Sequence, residues 1–316
     1  MKAARIEGPG SLSIVKMAEP EPGPEEVLIQ VMACGVCGTD LHIFRGEYLG
    51  QYPVIPGHEL AGVVTRVGAA VTELHPGDRV AVEPNIACER CAACRSNRQN
   101  FCENWVAIGV GRPGGMAQHT LAPRSNVFPI GELPFEVAAF MEPLSCVIHG
   151  AQNAGIRLGD RVALLGAGPI GLLMLQVLRS LGAGEVSVLE RNAFRVRKAR
   201  ELGARVLAAS MEELRRDHYD LVVDATGSLA VMGRALELAR YGGTVLWFGV
   251  APRGRTLPIE PFLVFRKGLT LLSSYTSLRN SLQAIELLSS GQVAVTPIVS
   301  HRLPLEQLSR GLRLLE

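Results

Sequence analysis

Cys88, Cys91, Cys94 and Cys102 fall inside one stretch, ACERCAACRSNRQNFC, at the spacing C-x2-C-x2-C-x7-C. Thiolates gathered this closely in a single loop supply the four ligands of a tetrahedral zinc ion and pull the loop into a compact knuckle. A closed four-thiolate shell leaves no open coordination position, so this zinc is expected to be structural. The competing readings are four unligated thiols crowded in a polar loop, or a zinc-ribbon nucleic-acid module. A formal net charge of +2 and basic residues scattered along the chain leave such a module without its electrostatic footprint.

A second ligand set precedes the knuckle. CGVCGTDLH at 34–42 and PGHE at 56–59 offer Cys37, His58 and Glu59, which are mixed sulfur, nitrogen and oxygen donors on separate loops. Such a set suits a catalytic zinc with an exchangeable position. Cys34 is the rival thiol in the same C-x-x-C. It is assigned to packing, because Cys37 is the one followed by a polar Gly-Thr-Asp. No other cysteine lies near Cys146 in the sequence, and it reads as a small apolar residue. Seven cysteines, six of them grouped in these two clusters, fit metal ligation in a reducing compartment rather than a disulfide framework.

Downstream, GAGPIG at 166–171 supplies G-x-G-x-x-G where a strand, Arg161–Leu165, turns into a helix. Gly166 permits the tight turn, Gly168 lets backbone approach a pyrophosphate, and Gly171 lets helix pack on strand. Glu190 ends the next strand, where a carboxylate grips the adenosine ribose hydroxyls. Such an acid repels a 2′-phosphate, which favours NAD. Arg191, directly after it, keeps NADP as the lesser alternative.

Two metal sites and a dinucleotide turn point to redox chemistry on an alcohol or carbonyl. The first third of the chain is β-rich and punctuated by Gly and Pro, as in EEVLIQVMACG, LAGVVTRVG and GDRVAVEP. From about Gly159 the rhythm becomes βαβ. The strands Arg161–Leu165, Glu185–Leu189, Leu221–Asp224 and Thr244–Phe248 alternate with helices over 170–181, 193–202 and 230–241, the pattern of a doubly wound parallel sheet. The expected domains are a catalytic zinc domain, 1–147 with 268–316 and a zinc lobe at about 84–105, and a dinucleotide-binding insertion, 148–267. The active site is expected in the cleft between them. The N-terminus lacks the apolar core of a signal peptide. The uncharged run Val162–Leu175 is too short for a membrane span and is broken by Gly and Pro. A soluble, cytoplasmic protein without membrane or nucleic-acid partners is expected.

As an ordered set, CGVCGTDLH, YPVIPGHELAGVV, the four-cysteine lobe, MEPLSCVIHG, GAGPIG and PIVSHRLPLEQ resemble the zinc-dependent medium-chain alcohol dehydrogenases, nearest the sorbitol (polyol) and threonine dehydrogenase branch. The resemblance implies a GroES-like catalytic domain beside a Rossmann domain, two zinc ions per chain, and a homotetramer or homodimer. By position, Cys37, His58 and Glu59 are similar to the catalytic zinc ligands. Glu142 of MEPLS stands where this branch has an acidic residue that binds zinc directly, through water, or in part of the cycle. Thr39 is similar to the hydroxyl that touches the substrate oxygen, His42 to the outer member of a proton relay, and Asp40 to a residue that orients a histidine ligand. Ile170 and Arg195 match cofactor positions, Arg195 by the adenine. Phe248, Gly249 and Val250, with Ser274 and Tyr275, match segments near the nicotinamide. Sorbitol-type enzymes place an arginine where Ser274 stands, with Arg279 nearby as a substitute. Family members continue into a final strand, so this chain is expected to be shorter than they are.

The implied reaction is hydride transfer from a polyol or other secondary alcohol to NAD, giving a ketone. An L-threonine 3-dehydrogenase is the alternative, though no residue reads as a clamp for the amino-acid carboxylate. A zinc-free quinone reductase of the same fold is disfavoured by Cys37, His58 and Glu59. A non-enzymatic zinc- or nucleotide-binding role would predict a degraded catalytic set.

Overall fold

The computed structural model describes residues 1–47 and 51–315. The chain divides into two compact units, one formed by Met1–Ser145, Ser277–Ser289 and Val299–Glu316, the other by Cys146–Thr276 and Ser290–Ile298.

The first unit is built on antiparallel strands. A hairpin joins β1 (Lys2–Gly8) to β2 (Ser11–Lys16). A five-stranded sheet takes β3 (Glu26–Cys34), β4 (Leu60–Val67), β5 (Arg79–Val82), β8 (His119–Pro123) and β9 (Val127–Pro129) in the order β8-β3-β4-β5-β9. A short ribbon pairs β6 (Asn85–Ile86) with β7 (Val106–Ala107). Alternating Val27, Ile29, Val64, Val80 and Val82 point to one face and bury there with Leu60 and Ile108, as a half-covered sheet requires. Helices α1 (Gly38–Arg45), α2 (Ala92–Arg95) and α3 (Phe135–Ala138) sit in its connections, and α4 (Met141–Asn153) starts in this unit and from Cys146 belongs to the second.

The second unit is the expected doubly wound sheet. Strands β10 (Arg161–Leu165), β11 (Glu185–Leu189), β12 (Val206–Ala208), β13 (Tyr219–Asp224), β14 (Ala239–Trp247) and β15 (Thr270–Ser273) lie in the order β12-β11-β10-β13-β14-β15, every pair parallel. Helices α5 (Pro169–Ser180), α6 (Ala193–Glu201), α7 (Leu229–Leu238) and α8 (Pro261–Lys267) make the crossovers. The chain reverses direction at β10, the switch point where such sheets bind ligands beyond their strand ends.

Three expectations are corrected here. β15 continues the parallel sheet through Thr244↔Thr270 to Trp247↔Ser273, so the return to the first unit begins at Ser277 rather than 268. Residues 290–298 also cluster with the second unit: Gln176 on α5 bonds Ala294 in both directions, at 3.1 and 2.8 Å. Finally, α7 stops at Leu238, and Ala239–Tyr241 are strand. The buried ammonium of Lys267 donates to Leu236 O at 2.8 Å and pairs with Asp217 at 2.8 Å, closing the helix end where the sequence suggested continuation.

The last segments rejoin the first unit. Helix α9 (Ser281–Ser289) is anchored through Glu83, whose Oε2 accepts from the hydroxyls of Ser277 and Ser281, each at 2.9 Å, while Oε1 takes the Asn85 amide. Helix α10 (Leu308–Leu314) buries Leu308 and Leu312 against Ala3, Ala4 and Met116. Among the described residues no helix is long and apolar enough to cross a membrane.

Candidate active site

Cys37, His58 and Glu59 converge in the first unit, their ligand atoms all within 4.8 Å of one another. Cys37 caps α1, and His58 and Glu59 lie just before β4. Asp40, fully buried, fixes both loops. One carboxylate oxygen accepts the Cys37 N–H at 2.8 Å and the other accepts the Gly57 N–H at 3.0 Å. The His58 ring is farther away, with Nδ1 at 3.7 Å from Asp40, which is beyond hydrogen-bond reach. The expected orienting of the histidine is therefore indirect: Asp40 holds the backbone that carries it. Gly35 is needed beside them, since a Cβ there would lie 2.0 Å from Glu59 Oε2. Cys34 packs against Gly57 and Gly115 rather than joining the three donors.

The donor set fits zinc. His58 Nδ1 is buried without a hydrogen-bond partner. Burial, then the Glu59 charge, pushes the Cys37 thiol up. Burial likewise raises Glu59, against the pull of His58. Burial opposes charge on His58, yet Cys37, Asp40 and Glu142 together hold its pKa well above the ordinary value. A divalent cation is the partner that lets a thiolate, a neutral imidazole and a carboxylate coexist in so little space. Glu142, buried in the first turn of α4, is not one of the three clustered donors, but its charge reaches His58. Thr39 and His42 lie on α1, and His42 Nδ1 is 2.7 Å from Glu47 Oε2, both side chains about half exposed.

The four-cysteine lobe is assembled as the spacing predicts, with all four sulfurs within 4.8 Å of one another. Cys91 Sγ lies 3.5 Å from Cys94 Sγ and 3.9 Å from Cys102 Sγ, and all four thiols are free. Backbone amides point at the sulfurs. N–H groups of Arg90 and Cys91 bring Cys88 down to about 6, whereas burial and bonds to its sulfur neighbours carry Cys94 up to about 12. Arg279 is engaged here, pairing with Glu89 of the lobe at 2.9 Å.

In the second unit the GAGPIG turn joins β10 to α5. Gly166 has φ +100°, Gly168 faces open space, and a Cβ on Gly171 would lie 2.1 Å from Gly166 O. Helix α5 starts at Pro169 with Gly168 as its cap, so its N–H groups face the turn. A cavity of about 570 Å³ opens there, lined by Gly166, Gly168, Glu190, Arg191, Arg195 and Thr226 among others. Ile170, Phe248, Gly249, Val250, Ser274 and Tyr275 do not line it.

Sequence reasoning missed two residues of this unit. Asp224, fully buried at the end of β13, accepts from Thr226 Oγ1 at 2.5 Å and from Gly227 N at 3.1 Å. Its carbonyl takes the N–H groups of Phe248 and Gly249 at 3.0 and 2.8 Å. It thus ties together the turns after β13 and β14; the DATG run at 224–227 was the available cue. His149, buried on α4, bonds Thr276 O at 2.8 Å and Asn153 at 2.9 Å, with Ser274 Oγ 3.4 Å away. Thr276 sits at φ +50°, so the histidine secures a strained turn beside Ser274 and Tyr275.

A mixed-donor metal set and a dinucleotide turn in one chain define a metal-dependent oxidoreductase, and comparison with known proteins refines this class. Residues 23–132 match the alcohol dehydrogenase GroES-like domain and residues 169–290 the zinc-binding dehydrogenase domain. The chain is 38% identical to D-altritol 5-dehydrogenase of Agrobacterium fabrum over 98% of its own length and 94% of that protein's. It is 33% identical to sorbitol dehydrogenase of Gallus gallus over 94% and 88%. L-threonine 3-dehydrogenase of Anaeromyxobacter matches at 33% over 92% and 89%. A zinc-binding dehydrogenase of Sinorhizobium meliloti, solved bound to NADP, superimposes with a TM-score of 0.96 at 37% identity, covering 98% of this chain and 94% of that one. An Escherichia coli alcohol dehydrogenase complexed with NADH gives 0.92 at 28%, covering 100% and 95%. The chain belongs to the zinc-dependent medium-chain alcohol dehydrogenase family, in the branch that holds the sorbitol (polyol) and threonine dehydrogenases, and is an oxidoreductase.

Proposed function

We propose that the protein oxidises a secondary hydroxyl of a polyol to a ketone with NAD as hydride acceptor. The observation that carries the reading is the convergence of Cys37, His58 and Glu59. Bound there, zinc supplies Lewis-acid polarisation of the substrate hydroxyl and brings its pKa towards neutrality. Thr39 takes the hydroxyl proton and hands it to His42, whose contact with the half-exposed Glu47 leads it to solvent. Glu142 assists as a direct, water-mediated or transient ligand. Asp40 keeps the two ligand loops in register. On the cofactor side the GAGPIG turn seats the pyrophosphate, with Ile170 beside it, Glu190 receives the adenosine ribose, and Arg195 lies by the adenine. Phe248, Gly249 and Val250, with Ser274 and Tyr275, orient the nicotinamide, and Asp224 and His149 brace those two segments. Cys88, Cys91, Cys94 and Cys102 hold a second, structural zinc.

The names of the altritol and sorbitol relatives support a polyol substrate. Threonine oxidation is the second reading, favoured by the L-threonine 3-dehydrogenase relatives. Against it, Arg279, the basic residue nearest Ser274 in sequence, is paired with Glu89 and does not offer a carboxylate clamp. The free thiols fit a cytoplasmic protein, and a homotetramer or homodimer is the assembly the family suggests. A panel of altritol, arabinitol, sorbitol, simple secondary alcohols and L-threonine, followed by NADH absorbance on zinc-replete protein, tests the proposal. A polyol should give the highest kcat/KM; a threonine preference would replace this reading.

A further inference from the structure

We propose that the adenosine end of the cofactor cavity also accepts a ribose 2′-phosphate, so that the chain takes NADP alongside NAD. This rests on the dinucleotide reading above and adds one ligand group to it, a phosphate monoester dianion.

The acid expected to repel that group is turned onto its own loop. Glu190 Oε1 accepts the N–H groups of Arg191 and Asn192, each at 2.8 Å, and Oε2 accepts that of Ala167 at 3.0 Å. Three charge-assisted hydrogen bonds take up most of the carboxylate's capacity and spread its charge inward. Arg195 Nη1 stands 3.9 Å from the same carboxylate. Repulsion of an incoming phosphate is correspondingly weak.

Two arginines line the same cavity, Arg191 and Arg195. With Glu190, they leave this end of the cavity one positive charge in excess. Among the described residues the Arg191 side chain makes neither an ion pair nor a hydrogen bond, so its planar fork is available to phosphate oxygens. Of the six cations between 191 and 205, Arg191 and Arg195 are the two that line this cavity, while Lys198 is paired with Glu201 at 2.8 Å. A ribose hydroxyl alone needs none of this charge; a 2′-phosphate uses it.

The test is fluorescence titration of zinc-replete protein with NADH and NADPH, run for wild type, Arg191→Gln and Arg191→Lys. Wild type should bind NADPH within about ten-fold of NADH, with NADPH weakening more steeply as salt rises. Arg191→Gln should lower the NADPH-to-NADH affinity ratio by at least about ten-fold, and Arg191→Lys should retain part of it. A wild type that binds NADPH more than about ten-fold worse than NADH, or a ratio unmoved in Arg191→Gln, overturns the proposal. In both cases NADH binding persists and the dinucleotide reading stands. If neither cofactor binds, that reading fails and the 2′-phosphate proposal with it.

Discussion

The two metal-ligand sets of the first unit reach similar compactness by opposite means. In the four-cysteine lobe the donors lie within fifteen residues, 88–102, and backbone N–H groups lower Cys88 and Cys91, so the loop itself favours thiolates at these two, while burial and its sulfur neighbours raise Cys94. In the mixed set the donors come from two separated loops, and burial raises Cys37 and Glu59. The lobe is prepared for its ion by local chain geometry. The mixed set is poorly matched to water and to itself, and needs both a cation and a distant brace, Asp40. A site that must bind, polarise and release substrate keeps this reactivity, whereas a structural site suppresses it.

The largest expected effect separates the two sets by what they lose. Cys37→Ser or His58→Ala should cost about a thousand-fold or more in kcat/KM, the scale of Lewis-acid activation, while circular dichroism and Tm change little. Cys94→Ser should instead lower Tm by roughly 10 °C or more, because a structural zinc contributes to folding. Metal analysis should return two zinc ions in the wild type, and mild chelation should abolish activity before secondary structure changes. Simultaneous loss would break the contrast.

Asp40 comes next. Its two N–H acceptances are bonds to a charged group worth about 1.5–3 kcal/mol each, and bracing of this kind typically governs metal affinity by 10–100-fold. Asp40→Ala should reduce affinity for the catalytic zinc within about that range and spare the lobe, measured by competition with a zinc chromophore. Equal weakening of both ions would make Asp40 a general stability residue.

A smaller effect concerns protons. His42→Ala should lower turnover about ten- to hundred-fold at neutral pH, leave zinc content intact, and recover at higher pH, where the alkoxide forms unaided. Parallel pH–rate profiles for wild type and variant would remove His42 from the relay.

The smallest effect reads the opposed thiol shifts directly. A thiol is a thiolate above its own pKa, so in metal-stripped protein alkylation of Cys88 should persist down to pH about 6, while Cys37 reacts only in more alkaline solution. Peptide mapping of both cysteines across pH decides it, and coincident profiles would erase the electrostatic difference.

Features written locally were legible in the sequence. The lobe spacing, the three glycines of GAGPIG and the strand cores of the parallel sheet follow from residues close together in the chain, where spacing and geometry are nearly the same information. The misjudged features depend on partners far apart. Asp40 was expected to face a histidine, but it serves two backbone amides, one of them at residue 57. Arg279 was considered for substrate, but it is paired with Glu89. β15 looked like a returning segment, because nothing within TLLS says that it will align beside Thr244–Trp247. Asp224 and His149 escaped notice since a lone buried acid or imidazole carries no spacing pattern at all.

Glu83 also sets an order of events during synthesis. Its carboxylate receives Ser277 and Ser281, nearly two hundred residues later. While the ribosome is still making residues 146–276, the acid has no hydroxyls to hold and the antiparallel unit lacks its closing helix. The parallel-sheet unit needs only Ser290–Ile298 beyond its main segment, so its strands can pair while the older, N-terminal unit remains open. The unit translated first is therefore the one finished last, and an early stop before Ser277 would release its nascent β-rich region with Glu83 Oε2 lacking both hydroxyls and with Ala3, Ala4 and Met116 uncovered by Leu308 and Leu312.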